Sequence, residues 1–146
     1  MKIFVDETAW INLLLTGAPF HSEIAREFES AIKNGDSLFT HNIAVGIALS
    51  EIKHAMGIGL ASKFNEVIEE AYTGAYLHIL WIGRRTQKEA VRLFRKESHL
   101  SLGLYDFAAY IFMKRRRIGT IVTTKTAFKK LGVNVVPEIV VPELGE

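Results

Sequence analysis

The chain of 146 residues is 49% hydrophobic and 23% charged, the balance of a globular protein with length for one core and too little for two domains, so residues 1–146 are read as a single domain. Cysteine is absent, which excludes disulfides, thiolate–zinc sites and cysteine nucleophiles and restricts any metal to oxygen or imidazole ligands. Net charge is only +2, yet Arg84 to Lys130 carries thirteen Lys/Arg against three acids while the remainder carries five against thirteen; the basic part attracts phosphates.

In chain order, Lys2 to Val5 reads as a strand ended by an acid, and Thr8 to Leu15, apolar all round, as a helix broken by Gly17 and Pro19. Ser22 to Lys33 has helical spacing and is stopped by Asn34-Gly35, and a strand follows at Ser37 to Thr40. Asn42 is placed as the N-cap of a helix with Val45, Ala48, Leu49, Ile52 and Met56 as its apolar stripe, ended by Gly57. A helix over Ala61 to Tyr72 and a strand over Tyr76 to Trp81 come next. Thr86 is read as the cap of a basic amphipathic helix to about Glu97, and Leu104, Phe107, Ala108, Ile111 and Phe112 mark a further helix ending in Lys114 to Arg117. Gly119 to Thr123 reads as a strand, Thr126 to Leu131 as one or two helical turns, and Val133 to Val136 as a last strand. Strands alternating with helices predict a three-layer α/β/α sandwich on a central, mainly parallel five-stranded sheet, with ligands at the C-terminal ends of the strands. No apolar run approaches the roughly 18 residues of a membrane span, and no basic region or cleavage site flanks the first one, so a cytoplasmic location is expected.

Three acids stand out. Asp6 follows the first strand, where an open parallel sheet presents chemistry, and Thr8 two residues on is a candidate cap that leaves helix N–H groups free for an anion. Glu51 interrupts a helix whose neighbours Ala48, Leu49 and Ile52 are apolar, and Asp106 lies between Tyr105 and Phe107 at the start of another. Taken singly, each is as readily structural as functional, since an acid in a first helical turn also satisfies the dipole. Brought together at strand ends they would repel unless a cation neutralised them, and oxygen-only ligands suit Mg²⁺ or Mn²⁺.

The segments FVDETAWINLLL, ALSEIKHAM, SLGLYDFAAYIFMKRRR and GTIVTTKTAFKKLGVNVV, in this order, resemble a PIN domain of the VapC toxin type across nearly the whole chain. The resemblance implies a PIN-like fold, an endoribonuclease with Mg²⁺ or Mn²⁺ on Asp6, Glu51 and Asp106, an RNA substrate, a VapB-like antitoxin and a homodimer. One departure stands within the motifs. Where many members carry a fourth acid in T-x-D-x-x-F, this chain has Thr123-Thr124-Lys125-Thr126-Ala127-Phe128, so Lys125 either weakens metal binding or contacts phosphate. Thr123 matches the family's hydroxyl position. A PIN-fold protein that has lost catalysis and binds RNA or protein is the alternative that Lys125 favours.

Arg115 and Arg116 are candidate RNA contacts, although cations at a helix C-terminus also satisfy its dipole. Trp10 and Trp81 are assigned to the core or an interface, ahead of base stacking. The early apolar helices, Thr8 to Leu15 and Ala44 to Met56, carry more hydrophobic surface than one sheet face needs, leaving some for a partner. His21, His41, His54, His78 and His99 show no ligand spacing, and Walker A, HExxH and G-x-S-x-G patterns are missing. A nucleotide-binding regulator would need a phosphate loop that the sequence lacks.

Overall fold

The computed structural model describes residues 1–139. Along its first strand, β1 (Lys2–Val5), Ile3 and Val5 point to one face and Phe4 to the other, and all three are buried. A strand covered on both faces suits a parallel sheet. Four more strands, β2 (Ser37–His41), β3 (Leu77–Leu80), β4 (Thr120–Val122) and β5 (Asn134–Val136), complete one, every pairing parallel and the order β3-β2-β1-β4-β5.

Helices α1 (Glu7–Leu14), α2 (His21–Asn34), α3 (Asn42–Met56) and α4 (Ile58–Thr73) cover the Ile3/Val5 face, where Trp10 packs between Phe28 and Phe64. Helices α5 (Arg84–Lys96) and α6 (Leu104–Arg116), with a 3₁₀ segment at Thr126–Leu131, cover the Phe4 face through Ala90, Phe107, Phe112 and Phe128. This is the α/β/α sandwich expected from the alternation of elements. Strands are added outward from β1 on one side as β2 and β3 and then on the other as β4 and β5, and this switch between β1 and β4 opens a crevice at their C-terminal ends. Among the described residues, no helix is long and apolar enough to cross a membrane.

Helix cores follow the predicted spacing, as in α2, where Ile24, Phe28 and Ala31 are buried and Gly35, at φ +69°, closes the helix in the left-handed conformation. Several local details differ from the sequence reading. The cap of α1 is Asp6, whose carboxylate accepts from Ala9 N at 3.1 Å, and Thr8 lies inside the helix. Helix α3 is capped by His41, whose Nδ1 accepts from Ala44 N at 2.8 Å, while Asn42 Oδ1 accepts from Ile82 N at 2.6 Å across to the end of β3. Gly83 precedes α5 without a side-chain cap, and Thr86 is buried within the helix, accepting from Arg115 at 3.2 Å. In each case a tertiary partner claims the side chain that local propensity would have spent on a cap. Helix α4 starts at Ile58, directly after Gly57, rather than at Ala61. Met56 and Trp81 are 65% and 73% exposed, so Met56 leaves the buried stripe and only Trp10 belongs to the core.

One hydroxyl links three elements. Thr40 Oγ1, fully buried at the end of β2, accepts from Trp10 Nε1 at 3.1 Å and donates to the Val5 carbonyl at 2.7 Å. Thr40→Val keeps the shape but strips both groups of this partner, and should destabilise the protein by about 2 kcal/mol in urea unfolding. Because the two side chains share one bond, adding Trp10→Phe to Thr40→Val should cost less than the sum of the single changes.

Candidate functional site

The crevice between β1 and β4 is lined by acids. Asp6 follows β1 directly and is 1% exposed, Glu7 opens α1, and Asp106 sits in the first turn of α6; one carboxylate oxygen from each lies within 4.8 Å of the others. The local chain accounts for each position. Asp6 leaves the sheet where β1 gives way to α1, and Asp106 Oδ2 accepts from Gly103 N at 2.7 Å, which fixes the carboxylate at the mouth of α6.

Hydroxyls orient Asp6. Thr8 Oγ1 donates to Oδ1 at 2.6 Å and Thr123 Oγ1 donates to Oδ2 at 2.5 Å, while Thr124 N and Lys125 N donate in turn to those two hydroxyls at 2.9 and 3.0 Å. Each hydroxyl has a single proton and spends it on Asp6, so the 3.3 Å approach of Thr8 to Thr123 carries no further bond. With Ala9 N also on Oδ1, the remaining lone pair of Asp6 is on Oδ2.

Lys125 enters the cluster. Its Nζ donates to Asp106 Oδ1 and Oδ2 at 2.8 and 3.0 Å and approaches Glu7 Oε1 at 3.4 Å. One ammonium thus faces three carboxylates. Burial raises the Asp6 pKa against the opposing pull of Thr123, Thr8 and Lys125. Burial together with the Asp6 charge pushes Glu7 up to about 7. Burial works to lower the Lys125 pKa, but Glu7, Asp106 and Asp6 outweigh it and hold the ammonium above its ordinary value.

Of the three acids singled out in the sequence, the structure brings Asp6 and Asp106 together and leaves Glu51 apart. Helix α3 turns Ala44, Val45, Ala48 and Ile52 inward, leaving Glu51 exposed and outside the acid cluster. Glu7 is the third acid instead. Its signal was the Asp6-Glu7 pair itself, masked because an acid in a first helical turn has an ordinary explanation. Thr8, Thr123 and Lys125 all meet the cluster. Arg115 does not: it pairs with Glu89 at 2.6 Å and, like Arg116, sits in the last turn of α6, about 14 Å along the axis from Asp106. Arg116 offers its carbonyl to Lys2 Nζ at 2.9 Å.

His41 ties the site to β2. Its Nε2–H donates to the Tyr105 carbonyl at 3.1 Å while Nδ1 accepts from Ala44 N, so one neutral tautomer joins the start of α3 to the start of α6. Burial holds its pKa down at about 4.

The donor set suits a hard divalent cation. All ligands are oxygen, Glu7 Oε2 is buried with no hydrogen-bond partner, and one ammonium leaves most of the charge of three carboxylates uncompensated.

The fold has solved counterparts. The crystal structure of VapC20 from Mycobacterium tuberculosis, a Sarcin-Ricin loop cleaving toxin, matches with a TM-score of 0.78 over 90% of this chain and 95% of that one, at 15% identity. VapBC2 from Rickettsia felis, bound to a DNA fragment from its promoter, matches with a TM-score of 0.65 over 92% of this chain and 97% of that one, at 12% identity. No family model and no curated protein matches the sequence. The chain therefore has the PIN-like α/β/α fold of VapC toxins.

The acid cluster makes stability depend on pH. The folded state binds the Glu7 proton more tightly than the unfolded chain, with a pKa of about 7 against 4.5, so this contribution is complete below pH 4.5 and is lost as pH rises through about 7. His41 works the other way, losing stability as pH falls from 6.5 towards about 4. Comparing wild type with Glu7→Gln in chelator isolates the first effect. The stability of wild type relative to Glu7→Gln should fall across the window from 4.5 to about 7, measured by urea midpoints at a series of pH values.

Proposed function

We propose that the protein is a metal-dependent endoribonuclease, the toxin of a VapBC-type pair, hydrolysing RNA phosphodiesters. The observation that carries this reading is the convergence of buried Asp6, Glu7 and Asp106 at the switch point of a parallel sheet. The VapC fold of its structural counterparts supports it. Asp6 and Asp106, with Glu7 in the position expected of Glu51, would hold Mg²⁺ or Mn²⁺, which when bound supplies a Lewis acid for the phosphate and acidifies a water. The protein's own groups prepare that site. Thr8 and Thr123 lock the Asp6 carboxylate in one orientation, Gly103 N and Lys125 hold Asp106, and the acid cluster accepts protons at near-neutral pH through Glu7.

A second reading rests on Lys125, whose ammonium already bridges Asp106 and Glu7. In a PIN-fold protein without catalysis, that internal cation would neutralise the cluster and leave an RNA- or protein-binding module. The two readings differ in what releasing the lysine does. Calorimetric titration of Mn²⁺ should show Lys125→Ala binding at least about tenfold tighter than wild type, because a like charge is removed from beside the carboxylates. On the nuclease reading wild type cleaves single-stranded RNA with Mn²⁺, is stopped by EDTA, and loses about a hundredfold or more in rate on Asp6→Asn. RNA binding without cleavage in wild type, with no carboxylate-dependent Mn²⁺ affinity, establishes the second reading.

A VapB-like antitoxin and a homodimer belong to the same proposal. Exposed apolar side chains at Met56, Ile58, Val67 and Tyr72, on α3 and α4, offer the surplus hydrophobic surface such contacts use. Co-expression with the neighbouring reading frame should give a complex larger than the chain alone on sizing; a monomer under both conditions removes this part.

A further inference from the structure

Six exposed cations line up on α5. Arg84, Arg85, Lys88, Arg92, Arg95 and Lys96 are all exposed. At 100° per residue they fall within an arc of about 120°, opposite the buried Thr86 and Ala90, and they span about 18 Å of axis. Among the described residues, Arg85 is the member of this stripe with a carboxylate in reach, Glu89 at 3.8 Å, and Glu89 is held more closely by Arg115 at 2.6 Å. Two open recesses on this face are both lined by Arg84 and Lys88. Arg84 and Arg85 also occupy a first helical turn with no acid and no side-chain cap, where the helix dipole disfavours positive charge. Those arginines do not stabilise their own helix.

An aromatic ring accompanies the stripe. Ile82 is buried and its N–H is pinned by Asn42, which turns the preceding Trp81 out to 73% exposure three residues before Arg84. An exposed indole close in the chain to a one-sided row of cations, mostly arginines, has the chemistry of a single-strand nucleic-acid surface: phosphates pair with the cations and a base stacks on the ring. Acidic protein would use the cations but has no need of the indole.

We infer that the outer face of α5 together with Trp81 is a docking surface for single-stranded RNA, separate from the carboxylate cluster. The inference rests on the reading that this protein acts on RNA and names the surface that holds the strand; Arg115, occupied by Glu89, is not part of it.

A labelled oligouridine titrated in EDTA, where cleavage is off, tests it on the full chain. Binding should weaken with salt, and Arg84→Gln/Lys88→Gln/Arg92→Gln should lower the slope of log K against log salt by about 2, since each phosphate contact contributes about 0.7. Arg116→Gln/Arg117→Gln, at the end of α6, should leave the slope unchanged. RNA should quench the emission of Trp81 and not of buried Trp10, so Trp81→Phe removes the quench while keeping affinity, and Trp81→Ala loses about fivefold or more. All these side chains are exposed, and matching circular dichroism spectra check that the variants fold. A slope unmoved by the α5 changes, or moved equally by the α6 pair, overturns the inference. So does polyglutamate binding as tightly as oligouridine without a Trp81 quench, which makes the stripe an acidic-protein surface. Absent cleavage, with the α5 changes still lowering the slope by about 2, refutes the nuclease reading alone; cleavage with a slope that the α5 changes leave unmoved refutes the surface alone.

Discussion

Burying carboxylates at the end of a parallel sheet sets the terms for the rest of this molecule. Asp6 is 1% exposed, in a place where water cannot repay the desolvation of its charge, so the protein supplies two hydroxyls and a backbone N–H instead. Those hydroxyls come from α1 and from the end of β4, on opposite sides of the crevice. The β1–β4 pairing that places Val5 beside Val122 is therefore also what brings Thr123 to Asp6. Sheet register and carboxylate orientation are one constraint.

Lys125 answers the same problem at the other acids. It makes its closest contacts with Asp106 and a longer one with Glu7, and its distribution of contacts leaves Glu7 Oε2 without a partner. Burial, together with the Asp6 charge that one ammonium offsets only in part, holds the Glu7 proton up to about neutral pH. Proton and lysine compete for the same negative charge, and on the nuclease reading proposed above a divalent cation would compete with both. Which of them prevails would separate the two proposed functions.

Much of the fold was legible because period and polarity agree over whole elements. Ile24, Phe28 and Ala31 recur at helical spacing, and Ile3, Phe4 and Val5 form the continuous apolar run of a strand buried on both faces. Caps were less legible, since Thr8, Asn42 and Thr86 all look like helix starts locally and are each engaged across the fold, by Thr124, Ile82 and Arg115. Glu51 shows the limit of a periodic argument: Ala48 and Ile52 bury, yet Glu51, about 60° round the helix from Ala48, already faces water. The contact of Glu7 with Lys125 spans 118 residues, which no local pattern encodes, although Lys125 was marked by where it falls in the TTKTAF segment.

The His41 cross-link has a further consequence, for how anything enters the acid cluster. With β2, α3 and α6 joined through one imidazole, the first turn of α6 cannot swing away without leaving a buried ring nitrogen unpaired. Lys125, a third exposed where Asp106 is nearly sealed, is the yielding side. Its flexible stem can rotate out once its contacts to Asp106 and Glu7 break, while the backbone stays still. Entry is then governed by a rotamer of one residue, and the rate at which the cluster exchanges its occupant is set by the strength of two ion pairs rather than by opening of the fold.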